Sequence, residues 1–123
     1  MANLEIEGVD NVLKRLEELG AKGRRIENSA LRSAGNRVKD AIQDEVPVRT
    51  GNLKRNIAVS NVRTKEGVKH VEIGPNKDGW YGRFVEFGTV HIKANPFMSR
   101  GYEKSKEDAV RIIQDELKKE LGL

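Results

Sequence analysis

Five apolar residues recur at every fourth position in the first half of the chain: Ile26, Ala30, Ala34, Val38 and Ile42. This spacing predicts one α-helix from about residue 22 to residue 45, roughly 36 Å long at ~1.5 Å per residue. The alanines let another element approach closely, and Gly35 indicates a tight crossing. Pro47 ends the helix, because the residue before a proline disfavours helical backbone.

The rest of the chain divides into short elements. An alternating strand at residues 3–7 precedes an amphipathic helix at residues 10–19. After Pro47, the loosely alternating residues 53–63 and the run 68–73 predict a hairpin that turns at Gly67. Residues 74–79 are a loop, residues 80–89 a packed turn, and Ile92 ends another short extended piece. A final helix is predicted over residues 97–121, with an apolar face of Tyr102, Ala109, Val110, Ile113, Leu117 and Leu121.

This order predicts an α+β fold in one domain, residues 1–123. A small antiparallel sheet would pack with the long N-terminal helix, the short helix before it and the C-terminal helix. Only 37% of the residues are hydrophobic and 34% are charged, which indicates a thin core. Partner subunits would then supply part of the stability.

Several classes of protein are excluded by what the sequence lacks. Without cysteine there is neither a disulfide framework nor a zinc–thiolate site, and the cytoplasm is favoured. No run of about 18 apolar residues could cross a membrane. The acidic N-terminal segment has no apolar core of the signal-peptide kind.

No pattern of catalytic or metal-ligating residues stands out. His70 and His91 are far apart, and His70 is interpreted as a surface residue of a strand. Nucleophile motifs and phosphate-loop spacings are absent, and the acidic residues of the last helix interleave with lysine and arginine as on a solvated face. The residues themselves therefore give no support for catalysis, for a cofactor or for a metal site.

Charge is distributed unevenly and leaves nucleic-acid binding open. Residues 1–20 carry two bases and five acids, whereas residues 21–57 carry nine bases and four acids. Such a dipole could dock one subunit head-to-tail on the next, or it could face nucleic acid. The bases of the long helix do not share one narrow stripe, and acids interrupt them, so a basic nucleic-acid-binding module is the alternative interpretation.

The aromatic residues concentrate between Trp80 and Tyr102. Residues 80–89 read Trp-Tyr-Gly-Arg-Phe-Val-Glu-Phe-Gly-Thr, with one glutamate among apolar residues and Gly88 at a change of direction. The segment is either a corner of the core or an interface anchor, where aromatic side chains commonly dominate the binding energy.

Three short motifs in this order resemble the tail-completion, or head–tail joining, proteins of long-tailed phages and prophages. The first is Pro-x-Arg-Thr-Gly-x-Leu after a long helix, and the second is Tyr-x-x-aromatic-Val-Glu-Phe-Gly-Thr. The third is Pro-Phe-Met before the C-terminal helix, although Ser99-Arg100-Gly101 departs from the usual continuation. The residues that carry them are Arg49, Thr50, Gly51, Leu53, Tyr81, Phe84, Glu86, Phe87, Gly88, Thr89, Pro96 and Phe97.

The resemblance implies a non-enzymatic virion protein, made in the bacterial host cytoplasm. Such proteins form a homo-oligomeric ring, commonly six-fold, that joins the tail tube protein to the head connector proteins at the head–tail junction. It implies no membrane partner and no specific nucleic acid. An adaptor or stopper role in the same neck is the near alternative. Arg49 is then the expected partner of Glu86, within the subunit or across the ring, and Arg83 is the local candidate.

Overall fold

The computed structural model describes residues 2–5, 10–48 and 51–122. Its elements, in chain order, are β1 (Ala2–Glu5), α1 (Asp10–Glu18), α2 (Ala21–Glu45), α3 (Asn52–Arg55), β2 (Ile57–Val59), β3 (Arg63–Lys65), β4 (Val68–Pro75), a 3-10 turn (Lys77–Gly79), α4 (Gly82–Phe87) and α5 (Phe97–Glu120). The predicted α+β class is confirmed, with a long N-terminal helix, a C-terminal helix and a small antiparallel sheet.

Helix α2 is the centre of the fold, and its predicted apolar stripe is confirmed. All five residues of the stripe are buried, and four of them are fully so: Ala30, Ala34, Val38 and Ile42. The helix ends at Glu45, and Val46, the residue before Pro47, has extended backbone as predicted. The stripe packs against side chains of α5 and of the sheet, so α2 contributes to the core on both the α5 side and the sheet side.

Helices α2 and α5 run antiparallel, as three polar contacts between them show. Ser29 donates a hydrogen bond to Glu116, Arg37 pairs with Asp108 at 3.2 Å, and Glu45 near the end of α2 pairs with Arg100 near the start of α5. The two backbones approach each other closely at Gly101. A Cβ atom there would lie 2.5 Å from the Cα atom of Ile42, so only glycine permits this packing.

Strand β4 is the middle of the sheet, with antiparallel β1 on one side and antiparallel β2 and β3 on the other. Val59 lies opposite Ile73, but Arg63 lies opposite His70, so the β2–β3 side has one residue more than β4 between these pairs. The extra residue is a β-bulge. It is held at Ser60, whose N–H donates to the Glu72 carbonyl and whose Oγ accepts from the Glu72 N–H.

The hairpin turn at Gly67 and the close approach at Gly35 are both confirmed. Glu66 and Gly67 have φ angles of 53° and 79°, as in the tight turns that join neighbouring antiparallel strands. A Cβ atom on Gly35 would lie 2.9 Å from Val59 and 3.3 Å from Val71. The element that comes close to α2 at Gly35 is therefore the sheet, whereas α5 crosses at Gly101.

Some local predictions are wrong. Residues 52–55 are helical, because left-handed Gly51 starts a turn that buries Leu53. Ile92 lies in a bend, because the Thr89 hydroxyl and amide close a turn there. His70 is buried, because β1 and β3 flank its position on the central strand. On α5, Val110 is exposed, whereas Ser105 is buried and satisfies its hydroxyl on the Gly101 carbonyl.

Candidate functional site

The first and second motifs meet where α3 packs on the start of α4. A Cβ atom on Gly82 would lie 2.6 Å from Pro75 and 3.0 Å from the Leu53 side chain, so Gly82 allows α4 to approach the end of β4 closely. Asn52 donates a hydrogen bond of 2.9 Å to the Tyr81 hydroxyl. Gly51, Leu53 and Tyr81 therefore form one structural junction. Arg49 and Thr50 lie outside the described residues.

Gly51 has left-handed backbone at the start of α3. Its φ is 79°, which residues with a Cβ atom rarely adopt. We expect Gly51→Val to lower the free energy of unfolding by ~1 kcal/mol or more, because the substitution imposes strain on the turn into α3. Urea denaturation followed by circular dichroism measures this. Lys54→Val, at an exposed position in the same short helix, is the control, and an unchanged midpoint for Gly51→Val would contradict the prediction.

Glu86 connects the second motif to the third by capping α5. Its Oε2 accepts from the Met98 N–H at 2.8 Å, and its Oε1 accepts from the Ser99 N–H at 3.2 Å and the Ser99 hydroxyl at 2.6 Å. Pro96, the N-cap residue of α5, has no side-chain acceptor. The Glu86 carboxylate therefore accepts from the free Met98 and Ser99 amides at the start of the helix. A negative charge there also complements the helix dipole.

The capping role of Glu86 differs in kind from the ion pair that the sequence suggested. Arg49 lies outside the described residues, so its pairing with Glu86 stays a prediction. Arg83, the local candidate, instead holds its guanidinium 5.0 Å from the centre of the Phe84 ring. A signal for the cap was present in the sequence, because a helix that begins at Pro96-Phe97 without a capping side chain needs an acceptor from elsewhere.

The segment after α4 is a turn built on Gly88 and Thr89. Gly88 has a φ of 77°, and a Cβ atom there would lie 2.7 Å from the backbone nitrogen of Ala94. The Thr89 hydroxyl accepts from the amides of His91 and Ile92, while its own amide donates to the Ile92 carbonyl. The turn is thus fixed by its own backbone and presents Val90, which is 97% exposed, at its tip.

Arg100 fastens the end of this turn to the body of the protein. Its Nη2 donates to Asn95 at 2.5 Å, and its Nε donates to Glu45 at 3.0 Å. Glu45 also pairs with Lys104. Hydrogen bonds from Lys104 and Arg100 hold the pKa of the Glu45 carboxyl below its usual value. The end of α2, the start of α5 and the turn are therefore joined at one point.

Large apolar side chains are exposed along α4 and the turn. We call this set the aromatic surface: Trp80, Phe84, Phe87, Val90 and Ile92. Trp80 lies just before α4, and Phe84 and Phe87 are three positions apart within the helix, on neighbouring parts of its surface. The Trp80 and Phe84 rings pack edge to face with centroids 6.0 Å apart, and Phe87 is 76% exposed. Of the two interpretations of this segment, the exposure favours the interface anchor; Phe97, by contrast, is fully buried.

A family model described as "Bacteriophage HK97-gp10, putative tail-component" matches residues 10–88. The chain belongs to this family of phage tail components. No curated protein and no solved structure gave a match. The matched residues contain the first two motifs up to Gly88, and α5 with its Pro-Phe-Met motif follows the matched segment.

Membership gives this tail component a structural role in the phage virion, among other virion proteins. Within residues 2–5, 10–48 and 51–122, no group of three or more histidine and carboxylate side chains could hold a metal ion. None of the helices in the described part of the chain is long and apolar enough to cross a membrane.

Proposed function

We propose that this tail component forms a ring at the head-proximal end of the tail and joins the tail tube to the head connector. The observation that carries the proposal is the aromatic surface, which no part of the subunit covers within the described residues. Contiguous exposed apolar patches on soluble proteins usually mark interaction sites, and aromatic anchors commonly dominate their binding energy.

The electrostatic pattern also supports a ring. Residues 1–20 have an excess of three acids and residues 21–57 an excess of five bases. A head-to-tail contact uses two different surfaces of each subunit, and it closes into a ring when the rotation between subunits closes. A chain with opposite charges on different segments suits such a heterologous contact better than a self-complementary one.

Phe87→Ser tests the proposal by removing the most exposed aromatic ring. We expect the melting temperature to stay within about 2 °C of the parent value, because surface substitutions usually change stability by no more than ~0.5 kcal/mol. Joining should fail when the variant is supplied to a phage that lacks the protein, and electron microscopy would count free heads and free tails.

Val110→Ser is the matched control, since Val110 is an exposed apolar residue on α5, outside the aromatic surface. It should restore joining. Normal joining with Phe87→Ser would show that the aromatic surface has no part in assembly. The state of the heads separates the neck roles: loss of a joining protein leaves filled heads beside unattached tails, whereas loss of a stopper empties the heads.

The proposal also predicts weak binding to DNA. Two of the bases on and beside α2 are already paired with acids, Arg37 with Asp108 and Lys69 with Glu27. We expect duplex DNA to bind without sequence preference, with a Kd of ~10⁻⁴–10⁻⁶ M that weakens steeply with salt. A fluorescence-anisotropy titration at two salt concentrations measures this, and nanomolar, sequence-selective binding would favour the nucleic-acid module instead.

A further inference from the structure

The aromatic surface has a basic rim. Lys77 lies three positions before Trp80, Arg83 lies between Trp80 and Phe84, Lys93 follows Ile92, and Lys54 belongs to the helix that packs on α4. All four side chains are exposed. The acids of the same segments are Asp78, which is exposed, and Glu86, whose carboxylate is buried on the N-terminus of α5. The surface therefore combines apolar anchors with an excess of positive charge.

Single-stranded nucleic acid also binds to aromatic side chains flanked by bases, but this surface suits it poorly. Base stacking needs open ring faces. The Arg83 guanidinium lies over the Phe84 ring. The Phe84 and Trp80 rings also contact each other edge to face. Two of the five anchors, Val90 and Ile92, are aliphatic and offer no ring at all. An apolar protein segment fits all five.

A second copy of the chain does not supply the complementary charge from its described side chains. On α5, acids alternate with bases and pair with them, as Glu103 does with Lys106 and Asp108 with Arg111. At the other end of the molecule, exposed Glu17 and Glu18 lie between exposed Arg15 and Lys22. Both surfaces have an exposed apolar residue, Leu19 and Val110, but bases balance the acids around each, so neither surface carries a net negative charge.

We propose that the aromatic surface docks an acidic segment of a different virion protein, with apolar side chains of that segment packed on Phe87, Val90 and Ile92. The rim lysines and Arg83 meet its carboxylates. Electrostatic complementarity of this kind selects the partner and speeds its capture more than it adds affinity. This inference rests on the proposed joining function and names the chemistry of the partner that the joining surface binds.

Photo-crosslinking in assembled particles tests the inference. p-Benzoylphenylalanine placed at position 87 should cross-link, on irradiation, to a segment of another virion protein, and mass spectrometry should locate that segment. We expect more Asp and Glu than Lys and Arg in it, together with apolar residues. The same group placed at position 114, which is exposed on α5, is the control and should not label that segment.

Cross-links from position 87 to DNA, to a second copy of this chain or to a basic segment would overturn the inference, as would no cross-link beyond the control. A matched pair of charge reversals adds a second readout: Lys93→Glu should lower phage yield about tenfold or more, and Lys65→Glu should not. Equal yields would also count against it. The proposed joining function is tested separately, and it would be wrong if phage without the protein still joined heads to tails.

Discussion

Replacing Gly101 with valine is expected to lower the free energy of unfolding by about 3 kcal/mol or more, a large part of the ~5–15 kcal/mol that stabilises a typical domain. The new Cβ atom would lie 2.5 Å from the Ile42 Cα atom and 2.7 Å from its nitrogen. These are backbone atoms of the central helix, so no change of rotamer relieves the clash. The end of α2 and the start of α5 would have to separate, which opens the core between them.

The measurement is the midpoint of urea denaturation, followed by circular dichroism. Gln114→Val introduces the same side chain on the exposed face of the same helix, and we expect it to leave the midpoint close to that of the parent. If Gly101→Val has the same urea midpoint as the parent, the two helices do not pack closely at Gly101 and the prediction is wrong.

Glu86→Ala is expected to destabilise the protein by about 2–4 kcal/mol. The substitution leaves the Met98 and Ser99 amides at the start of α5 without their acceptor, and Glu86 itself is only 4% exposed. Unsatisfied buried donors cost ~1–3 kcal/mol each, and loss of an N-cap typically costs ~1 kcal/mol. Joining should fail as well, because the same carboxylate positions α4 against α5.

Two variants separate the cap from a general effect of losing a carboxylate. Glu86→Gln keeps a side-chain acceptor but not the charge, so its loss of stability should fall between those of the parent and alanine variants. Glu107→Ala removes an exposed carboxylate of α5 and should cost less than ~0.5 kcal/mol. A Glu86→Ala chain as stable as the parent would exclude the capping role, and a double-mutant cycle with Arg49→Met would test the remaining pairing.

The long elements could be predicted from the sequence because their patterns repeat. The four-residue stripe predicted the position and buried face of α2, and Pro47 predicted its end. The contacts between motifs were not predicted residue by residue, although the structure brings Leu53 against Gly82 and Glu86 against the Met98 amide. Gly51 and Gly88 both have the positive φ angles that change the direction of the chain.

The predictions failed where tertiary contacts override local pattern. The sequence predicted Leu53 to be part of a strand, but Leu53 is buried in a helical turn that packs on α4. His70 alternates with Val71 as a surface residue would, but its central strand has neighbours on both sides. The start of α5 at Pro96-Phe97 indicates that an acceptor must come from elsewhere, but no local pattern identifies Glu86 as that acceptor.

The bulge at Ser60 has a consequence for how the free protein avoids self-polymerisation. A regular outer strand presents a row of unpaired N–H and C=O groups that can recruit the strand of another molecule. Here the extra residue breaks that row, and the strand beyond it, β3, is fully exposed and carries Arg63 and Lys65. Both features discourage another molecule from adding a strand at this edge of the sheet.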